Sequence, residues 1–327
     1  MEPDGTRSAA ELAGRRATLR YLAGGTLAGL MSTPAAHAQA GASPLQPGWS
    51  PAAMHHRRIR ESGESLPVIG LGTWQSFDVA DDTEGRAGAR ETLRLFAAAG
   101  GKVIDSSPMY GSSETMVGDL ARELGLQRSL FLATKVWTTG HREGIEQMQT
   151  SARRLRTDRI DLMQVHNLVD LRTQLATLRA WKSEGRIRYI GLTHYTVSGQ
   201  RELAKLLKTE RPDFLQFNYS VVTRDAERDL LPLAAEYGTG VLINRPFESG
   251  ELFSRVKGKA LPPWAAEADC ASWAQFFLKF IVSHPAVTCA IPATREPRHL
   301  LDNMAGGVGR LPDATLRERM AQHVMSL

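Results

Sequence analysis

A single-domain (β/α)8 barrel is the fold class this sequence predicts, and three observations predict it. From Leu66 onward, short apolar runs alternate with amphipathic segments, which is the pattern of repeated βα units around a parallel sheet. The alternation repeats eight times over about 230 residues, close to the ~250 of a (β/α)8 barrel. The main alternative, a doubly wound sheet, calls for a GxGxxG turn after the first strand. The segment GLGTWQSF has only a GxG at Gly70 and Gly72, with no third glycine.

Taken in order, the elements begin with an address. Basic GRRATLR (14–20) precedes the uncharged apolar run 21–31, followed by Pro34 and AAHAQA (35–40). Basic, apolar and small-residue regions in that order make a secretory signal. The run is too short to span a bilayer, which needs ~20 apolar residues. Arg15 and Arg16, with Leu19 and Arg20 behind them, resemble a twin-arginine export signal. The expectation is a signal over 1–38, cleaved after Ala38 or Ala40, a structureless linker over 39–53 and the barrel over 54–327. The precursor would then use the twin-arginine export machinery, and the mature protein would be periplasmic or otherwise exported with no membrane span. The segment HHRRIRESGESLPVIG (55–70) reads as two extended pieces around Ser62-Gly63, a hairpin that closes the bottom of the barrel. Strands are expected at 68–72, 102–105, 130–135, 162–166, 189–193, 214–218, 240–244 and 288–291. Helices are expected at 144–157, 171–185 and 224–238, among others, from apolar residues at three-to-four spacing. Gly100, Gly125, Gly185 and Gly238 stand where left-handed caps end such helices. The aromatic run 272–285 reads as a core helix face.

Composition narrows the function. Of 327 residues, 42% are hydrophobic and 23% charged, so the chain can bury a large core and is not a disordered sequence. Two cysteines exclude a disulfide scaffold, and no CxxC or Cys/His cluster offers a structural zinc site. The pI near 9.3 corresponds to a net charge of only +5, without a Lys/Arg block of nucleic-acid-binding size. Residues 1–38 carry Arg7, Arg15, Arg16 and Arg20 against Glu2, Asp4 and Glu11, so cleavage removes one positive charge.

Chemistry in such a barrel sits at the C-terminal strand ends. There the sequence places Asp105, Lys135 and His166 on three adjacent strands, with Tyr110 in the loop after Asp105. Each alone has a structural explanation; three ionisable groups closing three apolar runs on one rim do not share one. A phenol with a pKa of ~10 stores a proton at neutral pH but donates it reluctantly. Lys135 would lower that pKa, Asp105 would hold the ammonium, and His166 would orient a carbonyl beneath Tyr110. No HExxH or other metal spacing is present. Carbonyl reduction by these groups would need a hydride from a nicotinamide cofactor.

The segments VIDSSPMYG (103–111), ATKVW (133–137), QVHN (164–167), GLTHY (191–195), LQFNYS (215–220) and IPATREPRHLLDN (291–303) resemble the aldo/keto reductase superfamily over nearly the whole chain after the linker. The resemblance implies reversible reduction of aldehyde or ketone carbonyls with NADPH, or NADH, bound without a Rossmann domain. It implies Tyr110 as general acid, Lys135 and Asp105 as its tuning pair and His166 as the orienting residue. For the cofactor it implies Thr73, Thr193 and His194, with the last two in place of Ser and Asn, and Gln216 on the carboxamide. Asn244 stands where many members stack an aromatic ring, with Arg245 beside it. At the adenosine end it implies Thr294, Arg295, Arg298, Asp302 and Asn303; Ala293 and His299 replace a frequent Lys and Arg. Arg295 or Arg298 can restore a 2′-phosphate contact.

Trp74 and Trp137 either line an apolar substrate cleft, with Asn167, or cover the barrel rim. Cys270 and Cys289 are expected far apart, as free thiols. Two other functions fit the same barrel: a cofactor-binding sensor or regulatory subunit with little turnover, and an isomerase or lyase forming a Schiff base on Lys135.

Overall fold

In the computed structural model, which describes residues 50–327 apart from residue 61, eight parallel strands form one sheet. The strands of a hairpin, β1 (His56–Arg58) and β2 (Ser65–Pro67), come first. The barrel strands are β3 (Leu71–Gly72), β4 (Val103–Asp105), β5 (Phe131–Val136), β6 (Ile160–His166), β7 (Ile187–Thr193), β8 (Phe214–Asn218), β9 (Gly240–Asn244) and β10 (Cys289–Ala290). They neighbour one another in chain order. Parallel bridges Ile69–Ala290 and Gly72–Ala293 bring the last strand to the first and close the ring. The GxG belongs to this closure. A Cβ on Gly70 would fall 2.9 Å from the Val103 carbonyl oxygen, and one on Gly72 would fall 2.7 Å from that of Ile291. Those glycines serve strand approach, not phosphate binding.

The helices are α1 (Thr83–Ala98), α2 (Ser113–Glu123), α3 (His141–Arg154), α4 (Leu171–Ser183), α5 (Val197–Glu210), α6 (Leu230–Tyr237), α7 (Glu251–Arg255), α8 (Trp273–Val282), α9 (Pro297–Ala305) and α10 (Ala314–Ser326). Four start on a side-chain cap, from Asp82, Thr196, Ser272 and Asp313. Gly100, Gly125, Gly185 and Gly238 all have φ between 68° and 86°, as the C-terminal caps require. The expected helix over 224–238 is corrected. It divides into a 3-10 turn at Asp225–Glu227 and α6, because the ring of Pro232 clashes with a helical carbonyl four residues before it but fits a helix's first turn. Residues 274–282 of α8 are all buried, which explains its apolar residues on every side.

The hairpin closes the barrel bottom as expected. Ile59 and Leu66 pack on the inward-facing Val103, Phe131, Leu162, Tyr189, Phe214, Leu242 and Cys289. The Tyr189 hydroxyl donates to Glu64 and lies beside the Ser62 hydroxyl, at 2.8 Å each. The signal and most of the linker lie outside the described residues. Of the expected linker's described residues, 51–53 make one 3-10 turn, and Met54, the first residue of the expected barrel, bridges Val308. Cys270 and Cys289 are free. Among the described residues no helix is long and apolar enough to cross a membrane.

Candidate active site

Strand alternation builds the site in layers. Residues two apart on a strand face the same side, so above the apolar layer of Val103, Ala133 and Leu162 the same inward rows carry Asp105, Lys135 and Gln164. Cross-strand pairing places Lys135 beside Gln164, and His166 beside Thr193, which in turn pairs with Gln216. The period-two pattern that makes these segments strands therefore also lifts the ionisable residues to one rim.

Lys135 is fully buried, and its Nζ donates to Asp105 Oδ2 and to the Ser106 carbonyl, each at 2.6 Å. Asp105 Oδ1 accepts from Gln164 Nε2 at 3.0 Å and Gln216 Nε2 at 2.8 Å. A buried carboxylate needs such compensation, because leaving it unpaired is costly. Lys135 Nζ lies 4.9 Å from the centroid of the Tyr110 ring, which meets the His166 ring edge-on at 6.0 Å. His166 Nδ1 is 3.1 Å from Ser107 Oγ. We assign Ser107 as the donor, which leaves the proton of a neutral imidazole on Nε2.

The electrostatics correct one expectation. Burial raises the pKa of Tyr110, Lys135 lowers it and Asp105 raises it, with burial largest and a net upward shift. Lys135 therefore opposes a rise rather than producing a net fall. Burial works against the Lys135 ammonium, yet Asp105 and Tyr110 together outweigh it and its pKa is raised. Burial, then the charge of Lys135, pushes His166 down to about 3, so the ring is neutral at physiological pH.

Asp105, Tyr110 and His166 line a cleft of about 830 Å³, with Lys135 buried behind them. Of the expected cofactor and substrate residues, Thr73, Trp74, Trp137, Asn167, Thr193, Gln216, Asn244 and Arg245 line it. The Thr73 hydroxyl is tied to the Asp105 carbonyl and the Ser106 hydroxyl. His194 is not among the lining residues; it stacks on Tyr195, with its Nδ1 near the Thr196 amide and hydroxyl. Thr294 and Arg295 follow Ala293, the last lining residue, just before α9, and Arg298, Asp302 and Asn303 lie within that helix. Thr294 Oγ1 accepts from the Glu296 amide. Asp302 Oδ1 is engaged by Ser272 and Gln275 of the α8 N-terminus, while Arg295, partly exposed, and Arg298, exposed, are the two cations of the five.

Trp74 and Trp137 are close to half exposed and are among the residues lining the cleft. Sequence reasoning missed Ser107, Gln164, Met109, Tyr195, Phe247 and Phe253. Gln164 had a signal, its place two residues before His166 on one strand; Phe247 and Phe253 lie in a segment whose path no local pattern specifies. Gln75, Asn167, Arg245 and Ser249, all cleft residues, hold φ between 49° and 58°. Such left-handed non-glycine residues carry strain and cluster at functional sites.

Residues 68–318 match the Aldo/keto reductase family. The chain belongs to that family. It is 30% identical to the methylglyoxal reductase YeaE of Escherichia coli over 260 residues, covering 77% of this chain and 89% of that one. It is 27% identical to an NADH-specific methylglyoxal reductase of the same organism over 228 residues, 61% of this chain and 69% of the other. Among solved structures, an aldo/keto reductase from Klebsiella pneumoniae in complex with NADP and acetate superposes with a TM-score of 0.69 at 26% identity, over 80% of this chain and 93% of that one. The aldo/keto reductase barrel is thus the shared scaffold, and Asp105, Lys135 and His166 lie at the C-terminal ends of its strands, with Tyr110 in the loop after β4.

Proposed function

We propose that the chain reduces aldehyde and ketone carbonyls to alcohols, reversibly, with NADPH as the preferred cofactor and Tyr110 as the general acid. The convergence of Tyr110 and His166 in one cleft, with the buried Lys135 4.9 Å from the Tyr110 ring, carries this reading. Support for a polar organic ligand comes from the cleft itself: Asn167 Oδ1, Asn244 Oδ1 and Arg245 Nε are buried without hydrogen-bond partners, a state that costs free energy unless a ligand or water meets them. Arg245, Asn244, Gln216 and Thr193 would hold the nicotinamide end, and Arg295 or Arg298 the 2′-phosphate. The cofactor, when bound, supplies the hydride.

The chain's own residues do the rest. The His166 Nε2–H points the carbonyl oxygen toward Tyr110, and its neutrality lets it donate without adding a charge. Tyr110 gives its proton to that oxygen, and Lys135 stabilises the resulting tyrosinate. In the reverse direction the tyrosinate takes the alcohol proton. Trp74, Met109, Trp137, Tyr195 and Phe253 surround the mouth with apolar surface, which favours carbonyl compounds with an apolar body. Tyr110→Phe tests the assignment. It should retain NADPH binding, read by fluorescence titration, and lose ~10²-fold or more in turnover; unchanged turnover would remove Tyr110 from the mechanism.

Residues 1–38 we read as a twin-arginine export signal and 39–53 as its linker, giving a periplasmic or otherwise exported mature protein. The order of charged, apolar and small-residue regions supports this. Replacing Arg15 and Arg16 by Lys should hold the protein in the cytoplasm of the expressing cell, and normal fractionation of that variant would count against export.

A further inference from the structure

We infer that Gln164, with Gly191 opposite it, is a positioning residue that aims the Asp105 carboxylate at Lys135. The inference rests on the carbonyl-reductase reading above, and its observations are geometric. Asp105 has two oxygens and three side-chain donors. Oδ2 is given to Lys135, while Oδ1 takes the amides of Gln164 at 3.0 Å and Gln216 at 2.8 Å. Two amide donors on one oxygen leave the carboxylate a single orientation. Gln164 also sets the second of those amides, because its Oε1 accepts from Gln216 Nε2 at 3.2 Å. Gln216 Oε1 then faces Thr193 Oγ1 at 3.3 Å and Asn244 Nδ2 at 3.4 Å. A single amide thus connects the Asp105–Lys135 pair to the residues proposed to hold the nicotinamide.

The neighbouring strand is built to admit this amide. Gly191 pairs with Gln164 across β6 and β7, in the middle of a strand where glycine is otherwise unfavourable. A Cβ there would fall 2.7 Å from Gln164 Cγ and 3.1 Å from Leu162 Cδ1. The missing side chain leaves room for the Gln164 side chain in the conformation that meets Asp105. All three polar residues are buried, with Gln164 fully so, where an amide dipole acts on a charge with little screening.

The titratable groups facing this pair are Tyr110 and Lys135, then His166 from β6 and Cys289 from β10. His166 is neutral, and burial pushes the Cys289 thiol up and keeps it protonated, so alkaline titration of the site belongs to Tyr110 and Lys135 together. Loosening Asp105 withdraws support from the Lys135 ammonium and frees it toward the tyrosinate. Both effects move that titration to lower pH.

The test uses Gln164→Met, which keeps length and removes the donor, and Gly191→Ala, which keeps every polar group and displaces Gln164. Full-length protein is titrated by tyrosinate absorbance, with the Tyr110→Phe curve subtracted, and kcat is followed against pH. Both variants should move the Tyr110 titration and the alkaline limb of kcat acidward by ~0.5 pH unit or more and lower kcat about 10- to 100-fold. A wild-type titration and pH profile in a folded Gln164→Met protein, or in Gly191→Ala if the first does not fold, would reduce Gln164 to a core residue. If the wild-type chain turns over no carbonyl, the functional reading fails, while the absorbance titration still decides the role of Gln164.

Discussion

Lys135 Nζ and Asp105 Oδ2 stand 2.6 Å apart with both side chains closed to solvent. A pair so placed is costly to break one-sidedly, on the order of 3–5 kcal/mol, because the remaining charge stays buried. Asp105→Asn and Lys135→Met should each lower the thermal midpoint and abolish most turnover. The double variant Asp105→Leu with Lys135→Met should recover much of the stability and none of the activity. Thermal scans beside turnover assays separate the two quantities, and a double variant less stable than either single would contradict the account.

His166 contributes to the acid side of the stability profile, alongside His284, which burial pushes down to about 4. The His166 pKa in the folded protein is pushed to about 3 from an ordinary 6.5, so below pH 6.5 the unfolded chain binds a proton that the folded chain refuses. Stability therefore falls as pH drops from 6.5 toward 3, with about 2 kcal/mol of this origin lost by pH 5. Urea midpoints of wild type and His166→Gln at pH 7.5 and 5 should show the difference narrowing in acid. For the same reason turnover should carry no ionisation near pH 6.5; an acid limb there in kcat would mean that His166 is charged in the working site.

Trp137 lies 6.4 Å, centroid to centroid, from the His166 ring and is exposed at the cleft mouth. Its truncation removes apolar surface that a bulky substrate would cover, at ~25 cal/mol per Å². Trp137→Ala should raise KM about tenfold or more for an aromatic aldehyde and change it little for a short aliphatic aldehyde, with kcat for the small substrate retained. Equal effects on both substrates would point to a collapsed site instead.

Arg295 and Arg298 carry the proposed preference for NADPH. Replacing both by Ala should weaken NADPH binding by about 10- to 100-fold, as loss of charge-assisted contacts to a phosphate implies, and leave NADH affinity unchanged. Cofactor titrations of the double variant, in the absence of any carbonyl substrate, measure this directly. A parallel loss for NADH would place both arginines on the shared part of the dinucleotide.

The sequence by itself determined the barrel and the identity of four residues on its rim. Strand alternation and helix caps are local, so Asp105, Lys135 and His166 could be set on one side of the sheet from spacing alone, and eight βα units leave few other closures. Tertiary structure alone decided three things. Burial outweighs Lys135 at Tyr110 because desolvation depends on everything packed around the phenol, which no spacing encodes. Gln164 became a partner of Asp105 only when the stagger of three strands and the gap at Gly191 brought the amide to the carboxylate. Phe247 and Phe253 reached the cleft through a segment between β9 and α8 whose left-handed residues Arg245, Glu248 and Ser249 are held by contacts distant in the chain, such as Ser220 donating to Glu248 at 2.5 Å.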